Sequence, residues 1–180
     1  GVNDDANNNN DFDDFKNSGW GVRMDVGQLY FGRNQSGTIL GSVIGARGDG
    51  DFMPGNVVSN NESGGLFIGD QVGSSEILSS IFGLIRSSSS SDFDTPAGNS
   101  YLLVSPGFDQ PAAVKVDPGA GSSVNFGSVV PADLYSVRNI ISGNYGSGLI
   151  FGDDSQVAAS LDLVNAFIGT DWDGLVDLGN

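Results

Sequence analysis

The densest set of metal-competent oxygens lies near the start of the chain, where Asp5, Asn7, Asn9, Asp11 and Asp13 occupy every second position of Asp5-Ala-Asn7-Asn-Asn9-Asn-Asp11-Phe-Asp13-Asp14. Calcium takes about six to eight hard oxygen ligands, and a loop with Asp or Asn at alternate positions can wrap one ion, as EF-hand loops do. The spacing departs from that loop at its sixth position, Asn10, and at its twelfth, Lys16, where a bidentate acid belongs. The expected cofactor is therefore calcium, held by Asp5, Asn7, Asn9, Asp11 and Asp13. The competing reading is an acidic arm solvated by water, the usual state of such runs.

Shorter acidic pairs recur: Asp49 with Asp51, Asp92 with Asp94, Asp153 with Asp154, and Asp171 with Asp173 before Gly174. Each can lend two ligands to a cation, bind its own turn backbone, or serve as the paired carboxylates of a glycosidase. No pair is singled out by its surroundings in the sequence. Catalysis through His or Cys is excluded, because the chain has 0 His and 0 Cys. The familiar serine triads go with them. Glycine-rich stretches lack a Walker lysine, so phosphate cradling has no support. The expectation is a chain that is not an enzyme. Arg47-Gly48-Asp49 is an adhesion-type tripeptide in a Gly-rich loop, a short motif that also arises by chance. Asn34-Gln35-Ser36 and Asn61-Glu62-Ser63 fit the N-glycosylation acceptor pattern, which has meaning only in an exported chain. Trp20, Trp172 and Tyr145 are candidate sugar-stacking aromatics, although such rings more often fill a core or its rim.

Composition limits the elements that can position these groups. The 180 residues fit one domain with a sizeable core. Acids outnumber bases 22 to 7, giving −15 at pH 7, and only Glu62 and Glu76 among the acids are Glu. Asp favours turns and caps, so an Asp-loaded chain with 28 Gly reads as short strands joined by many loops. The charge repels a phosphate backbone, which argues against nucleic-acid binding. No stretch approaches the roughly 18 apolar residues of a membrane span.

Residues 1–17 are expected to be an acidic N-terminal arm or cation-binding loop, and residues 18–180 a single β-rich domain. Val22, Met24 and Val26 alternate with Arg23 and Asp25, marking a half-buried strand or hairpin that continues through Leu29 to Phe31. Further strands are expected at 38–46, 66–68, 101–104, 112–116, 124–130, 134–141 and 149–151, with a long loop over 47–65. The spacing of Ile77, Leu78, Ile81, Phe82, Leu84 and Ile85 predicts a helix over 75–86, with Glu76 and Arg86 suited to its two ends. Ser87 to Ser91 ends it, and the first half of 156–168 is read as a second helix. No repeat of fixed period is expected. The fold class is mainly β, a β-sandwich or jelly-roll-like domain with one or two short helices.

Glu76 to Arg86, then Val130-Pro131 with Ser136 and Arg138, then Ile168-Gly-Thr-Asp-Trp172 resemble, in the same order, features of picorna-like virus capsid jelly rolls. The sequence departs from them in having no Gly before Glu76, Phe82 in place of a basic residue, and no aromatic-basic strand before Val130. The leading functional expectation is a non-catalytic structural subunit of an extracellular or cell-surface assembly, such as a filament, surface layer or matrix, ordered by calcium. Its partner is itself, as homo-polymer or lattice, with contact to a cell surface or glycan. A viral capsid or decoration jelly roll is the alternative, followed by a carbohydrate-binding or glycoside-hydrolase module.

Overall fold

Short apolar runs, broken every few positions by Gly, Asn or Ser, give short strands with sharp corners. The computed structural model describes residues 19–27, 30–33, 39–40, 56–86, 93–99, 111–117, 122–127, 138–152 and 159–180, and these residues follow that plan. The first circuit lays down β1 (Trp20–Gly27), β2 (Tyr30–Arg33), β3 (Ile39–Leu40) and β4 (Asn56–Val58). A second circuit adds β5 (Gly64–Val72), β6 (Ser75–Ile77) and β7 (Ser80–Phe82), with β8 (Leu84–Arg86) and β9 (Phe93–Pro96) as a side ribbon. The third is β10 (Ala112–Val116), β11 (Ser123–Phe126) and β12 (Asn139–Ile141). The fourth is β13 (Ser147–Phe151), β14 (Ser160–Leu163) and β15 (Ala166–Ile168).

Successive circuits stack. One sheet has the order β1-β5-β10-β13, a second β14-β11-β6-β2-β3, and a third β15-β12-β7-β4. Every pairing in them is parallel except β2 with β3; β8 with β9 is also antiparallel but stands outside the three sheets. The described chain is therefore a parallel β-solenoid of four coils. The expected sandwich or jelly roll relies on antiparallel neighbours, and the described strands do not build one.

The two predicted helices are also corrected. Over 75–86 the chain forms β6, β7 and β8, with corners at Ser79 (φ 53°) and Gly83 (φ 100°). A helix of a soluble domain needs one wet face, whereas here Ile77, Leu78, Ile81, Phe82 and Leu84 are buried together with Ser75, Ser79 and Ser80. Ser75 and Ser80 can be buried because Ser75 Oγ donates to Gly73 O and Ser80 Oγ to Leu78 O. In the second stretch β14 and β15 meet at Asn165 (φ 53°), with residues 156–158 outside the described set. No helix occurs among the described residues. β1 and β2 are strands as expected, but they belong to different sheets and do not form a hairpin. β4 falls inside the predicted long loop.

Side chains stack in columns along the coil axis. Ile68 and Val116 share one register position, Ile77 and Phe126 a second, and Phe82 and Ile141 a third. All six are fully buried and belong to one continuous core with Leu66, Val72, Val114 and Val124. A smaller cluster of Ile81, Leu84, Phe93 and Ile140 gathers Phe167, Trp172 and Leu178 on the third sheet's side.

Polar stacking runs beside the apolar core. At each return from the third sheet to the first, an asparagine bonds to that of the next coil. Asn61 Nδ2 donates to Asn99 Oδ1 (2.7 Å), Asn99 Nδ2 to Asn144 Oδ1 (3.0 Å), and Asn144 Nδ2 to Asn180 Oδ1 (2.9 Å). The ladder also holds the corners, since Asn99 Nδ2 donates to Val58 O and Asn144 Nδ2 to Phe82 O. Sequence repetition accompanies it: Asn56-Val-Val-Ser-Asn-Asn61 matches Asn139-Ile-Ile-Ser-Gly-Asn144 at an offset of 83 (139 − 56), and Gly65-Leu66…Gly69-Asp70 matches Gly148-Leu149…Gly152-Asp153 at the same offset. The period is not fixed, because Val22, Leu66, Val114 and Leu149 share one column at offsets of 44, 48 and 35.

Candidate functional site

The columns that build the core run out at the last coil. Val116 continues to Phe151, Phe126 to Leu163, and Ile141 to Ile168. The inner members are fully buried, whereas Phe151 is 39%, Leu163 45% and Ile168 44% exposed. The ends of all three sheets thus present large apolar groups in one coil, beside the outer edges of β13, β14 and β15. Isolated exposed apolar residues are ordinary, but three that terminate buried columns leave the core open-ended. At the opposite end β1 and β4 are the edge strands of the first and third sheets, while β3 lies antiparallel beyond β2 in the second.

A hydrogen-bonded turn follows the last coil. Asp171 Oδ1 accepts the backbone N–H groups of Leu175 (2.8 Å) and Val176 (3.0 Å), and Thr170 bridges Asp177. Burial pushes the Asp171 carboxyl up. Hydrogen bonds from Val176 N–H, the Asp173 side chain, Leu175 N–H and Gly174 N–H outweigh that effect and hold it below its ordinary value. Asp173 is pushed up, by desolvation first and then by its hydrogen bond to Asp171, so the two carboxyls are moved in opposite directions. The turn is anchored behind by Trp172, whose carbonyl accepts Arg138 Nη1 (2.6 Å) while the Arg138 guanidinium lies 4.0 Å from the Phe167 ring centroid. Its tip carries Leu175, 82% exposed.

The outer face of the first sheet carries the other cluster. Arg23, Phe67, Lys115 and Ile150 form one column. The Arg23 guanidinium stands 4.7 Å and Lys115 Nζ 6.0 Å from the Phe67 centroid, and Trp20 meets Phe67 at 5.4 Å with ring planes 51° apart. Arg23 pairs with Asp25 at 2.9 Å, and Lys115 with Asp117 at 3.3 Å. The hydrogen bond from Arg23 holds Asp25 below its ordinary value and is the larger effect, with the charge attraction adding to it against some desolvation.

Asp5, Asn7, Asn9, Asp11 and Asp13 all lie outside the described residues, as do Arg47-Gly48-Asp49, Asn34 and the pairs Asp49 with Asp51 and Asp153 with Asp154. Of Asp92 and Asp94, the structure describes Asp94 alone, which is exposed. Asp171 with Asp173 holds its own turn backbone. Among the described residues no three of His, Cys, Asp and Glu converge to hold a metal. Asn61 does not present itself as a glycan acceptor: it is buried, and its Nδ2 donates to Ser59 O and Asn99 Oδ1. Trp172 packs against the smaller core, Trp20 is half-buried on the sheet, and Tyr145 is exposed. Sequence reasoning missed Phe151, Leu163, Ile168 and Phe67 as surface-defining residues. The repeat of 56–70 in 139–153, which sequence reasoning also missed, is the signal from which stacked coils could have been read.

No family model matches the chain, and comparison with curated proteins and with solved structures gives no match.

Proposed function

We propose that the protein is a non-catalytic structural subunit of an extracellular assembly, joined end to end through its open last coil, with calcium ordering the acidic arm at Asp5 to Asp13. The observation that supports this reading is the open-ended core. Phe151, Leu163 and Ile168 prolong columns whose inner members are fully buried, and another coil laid over them would bury them in the same way. A second copy supplies that coil: its β1 and β4 edges extend the first and third sheets in parallel, and its β3 adds to β14. Met24 and Val58 then fall over Phe151 and Ile168, since they begin the same two columns. Head-to-tail contact of this kind does not close on itself and produces a filament. Parallel stacking separates this assembly from a capsid built of antiparallel jelly rolls.

The test is sedimentation velocity and electron microscopy of purified protein over a concentration series, with calcium and then with chelator. End-joined oligomers that dissociate in a Leu163→Glu, Ile168→Glu double variant are the expected result. A folded wild-type chain that stays monomeric throughout removes the proposal.

A further inference from the structure

The outer face of β1 and β5 carries a cluster that end-to-end assembly does not use, and we propose that Trp20, Arg23, Asp25 and Phe67 form a binding site for a neutral carbohydrate chain. Trp20 owes its seat to Gly64: a Cβ there would overlap the indole, so the missing side chain lets the ring lie on the strand. Gly69 keeps the neighbouring space open, because a Cβ at that position would crowd the Phe67 ring at 3.2 Å. The result is a tilted aromatic pair on a sheet face, half-buried and backed by rigid parallel strands.

Beside it stands a fixed donor and acceptor. Arg23 Nε donates to both carboxylate oxygens of Asp25, at 3.1 and 2.9 Å, and its guanidinium is held over Phe67. Both members of the pair remain exposed, so the guanidinium keeps N–H groups and the carboxylate keeps lone pairs for a ligand. Sugars match this chemistry. A pyranose offers an apolar C–H face to an aromatic ring, and its vicinal hydroxyls offer adjacent donor and acceptor roles. One hydroxyl donates to Asp25 while its neighbour accepts from Arg23.

Charge selects the class of sugar. Each cation of the column has an acid two residues on, Arg23 with Asp25 and Lys115 with Asp117, which leaves the strip close to neutral on a chain of net charge −15. An anionic polysaccharide would meet that overall field and the Asp25 carboxylate, whereas a neutral one meets no such barrier. Because Trp20, Arg23 and Asp25 all stand on β1, with Arg23 about 10 Å along the strand from Trp20, a chain of two or three sugars running along β1 reaches the ring and the Arg23–Asp25 pair together.

Affinity electrophoresis in native gels containing laminarin, glucomannan, arabinoxylan or dextran tests the proposal, with polygalacturonate as the charged comparison. Wild-type protein should be retarded by at least one of the four neutral polymers and not by polygalacturonate. Trp20→Ala should weaken that retardation by about tenfold. Arg23→Met should weaken it comparably while keeping a side chain over Phe67, and circular dichroism confirms that each variant is folded. Three results overturn the site: no retardation by any neutral polymer, stronger retardation by polygalacturonate, or folded variants that bind like wild type.

Discussion

Removing one rung of the asparagine ladder should cost far more than the size of the side chain implies. Asn99 is fully buried; its Oδ1 accepts Asn61 N–H (3.2 Å) and Asn61 Nδ2 (2.7 Å), and its Nδ2 donates to Val58 O and Asn144 Oδ1 (both 3.0 Å). In Asn99→Ala, Asn61 Nδ2 keeps Ser59 O, Val58 O keeps Gly83 N–H, and Asn144 Oδ1 keeps Asn99 N–H. The backbone N–H of Asn61 is the group left buried without its acceptor. A buried orphaned donor costs about 1–3 kcal/mol and each of the other three lost bonds about 0.5–1.5 kcal/mol, so the expected loss is about 5 kcal/mol. That is a large part of the roughly 5–15 kcal/mol that holds a typical domain folded. Urea unfolding followed by tryptophan fluorescence and far-ultraviolet dichroism measures it. Because Asn99 and Asn144 act in one network, their double alanine variant should lose less than the two single losses added together, by about 1 kcal/mol or more. A loss below about 1 kcal/mol in Asn99→Ala, or strict additivity with Asn144→Ala, would show that the coils are not tied through this ladder.

Further outcomes follow from the corners and the acids. Gly83→Ala should destabilise the fold by more than about 2 kcal/mol, because its φ of 100° disfavours a side chain and a Cβ would overlap Ser142 O and Asn144 Oδ1; a melting temperature equal to wild type contradicts this. Asp171 has a carboxyl pKa lowered in the fold from 3.8, so its contribution is complete above that value and is lost as pH falls through the lower folded one. The Val176 amide resonance, whose N–H donates to Asp171 Oδ1, should therefore shift with a midpoint below 3.8, and a midpoint above it refutes the capping geometry. Calcium titration by calorimetry should show binding that Asp11→Asn with Asp13→Asn abolishes; an unchanged isotherm in that variant removes the arm from the account.

Local strand propensity was readable along much of the chain, and its limits have physical causes. The 112–116 segment was placed correctly because Ala112-Ala-Val-Lys-Val116, apolar but for Lys115, is too short a stretch for a helix. The 75–86 segment misled because Ile77, Leu78, Ile81, Phe82, Leu84 and Ile85 keep helical spacing, while burial on every side and a left-handed Gly83 belong to a solenoid corner. Parallel pairing was not legible, since Val22 meets Leu66 across an offset of 44 and no local rule sets that register. The ladder was hidden for the same reason: Asn61, Asn99, Asn144 and Asn180 follow one another at unequal separations of 38, 45 and 36. The exposure of Phe151, Leu163 and Ile168 was not legible either, since their inner neighbours Val116, Phe126 and Ile141 carry the same apolar character and are buried.

Fibre diffraction from aligned assemblies tests the stacking of coils most directly. Solenoids joined end to end carry their strands perpendicular to the long axis, and the account predicts a reflection near 4.8 Å along that axis. Assemblies that lack it, or that show it across the axis instead, contradict the joining of one copy's last coil to the next copy's first.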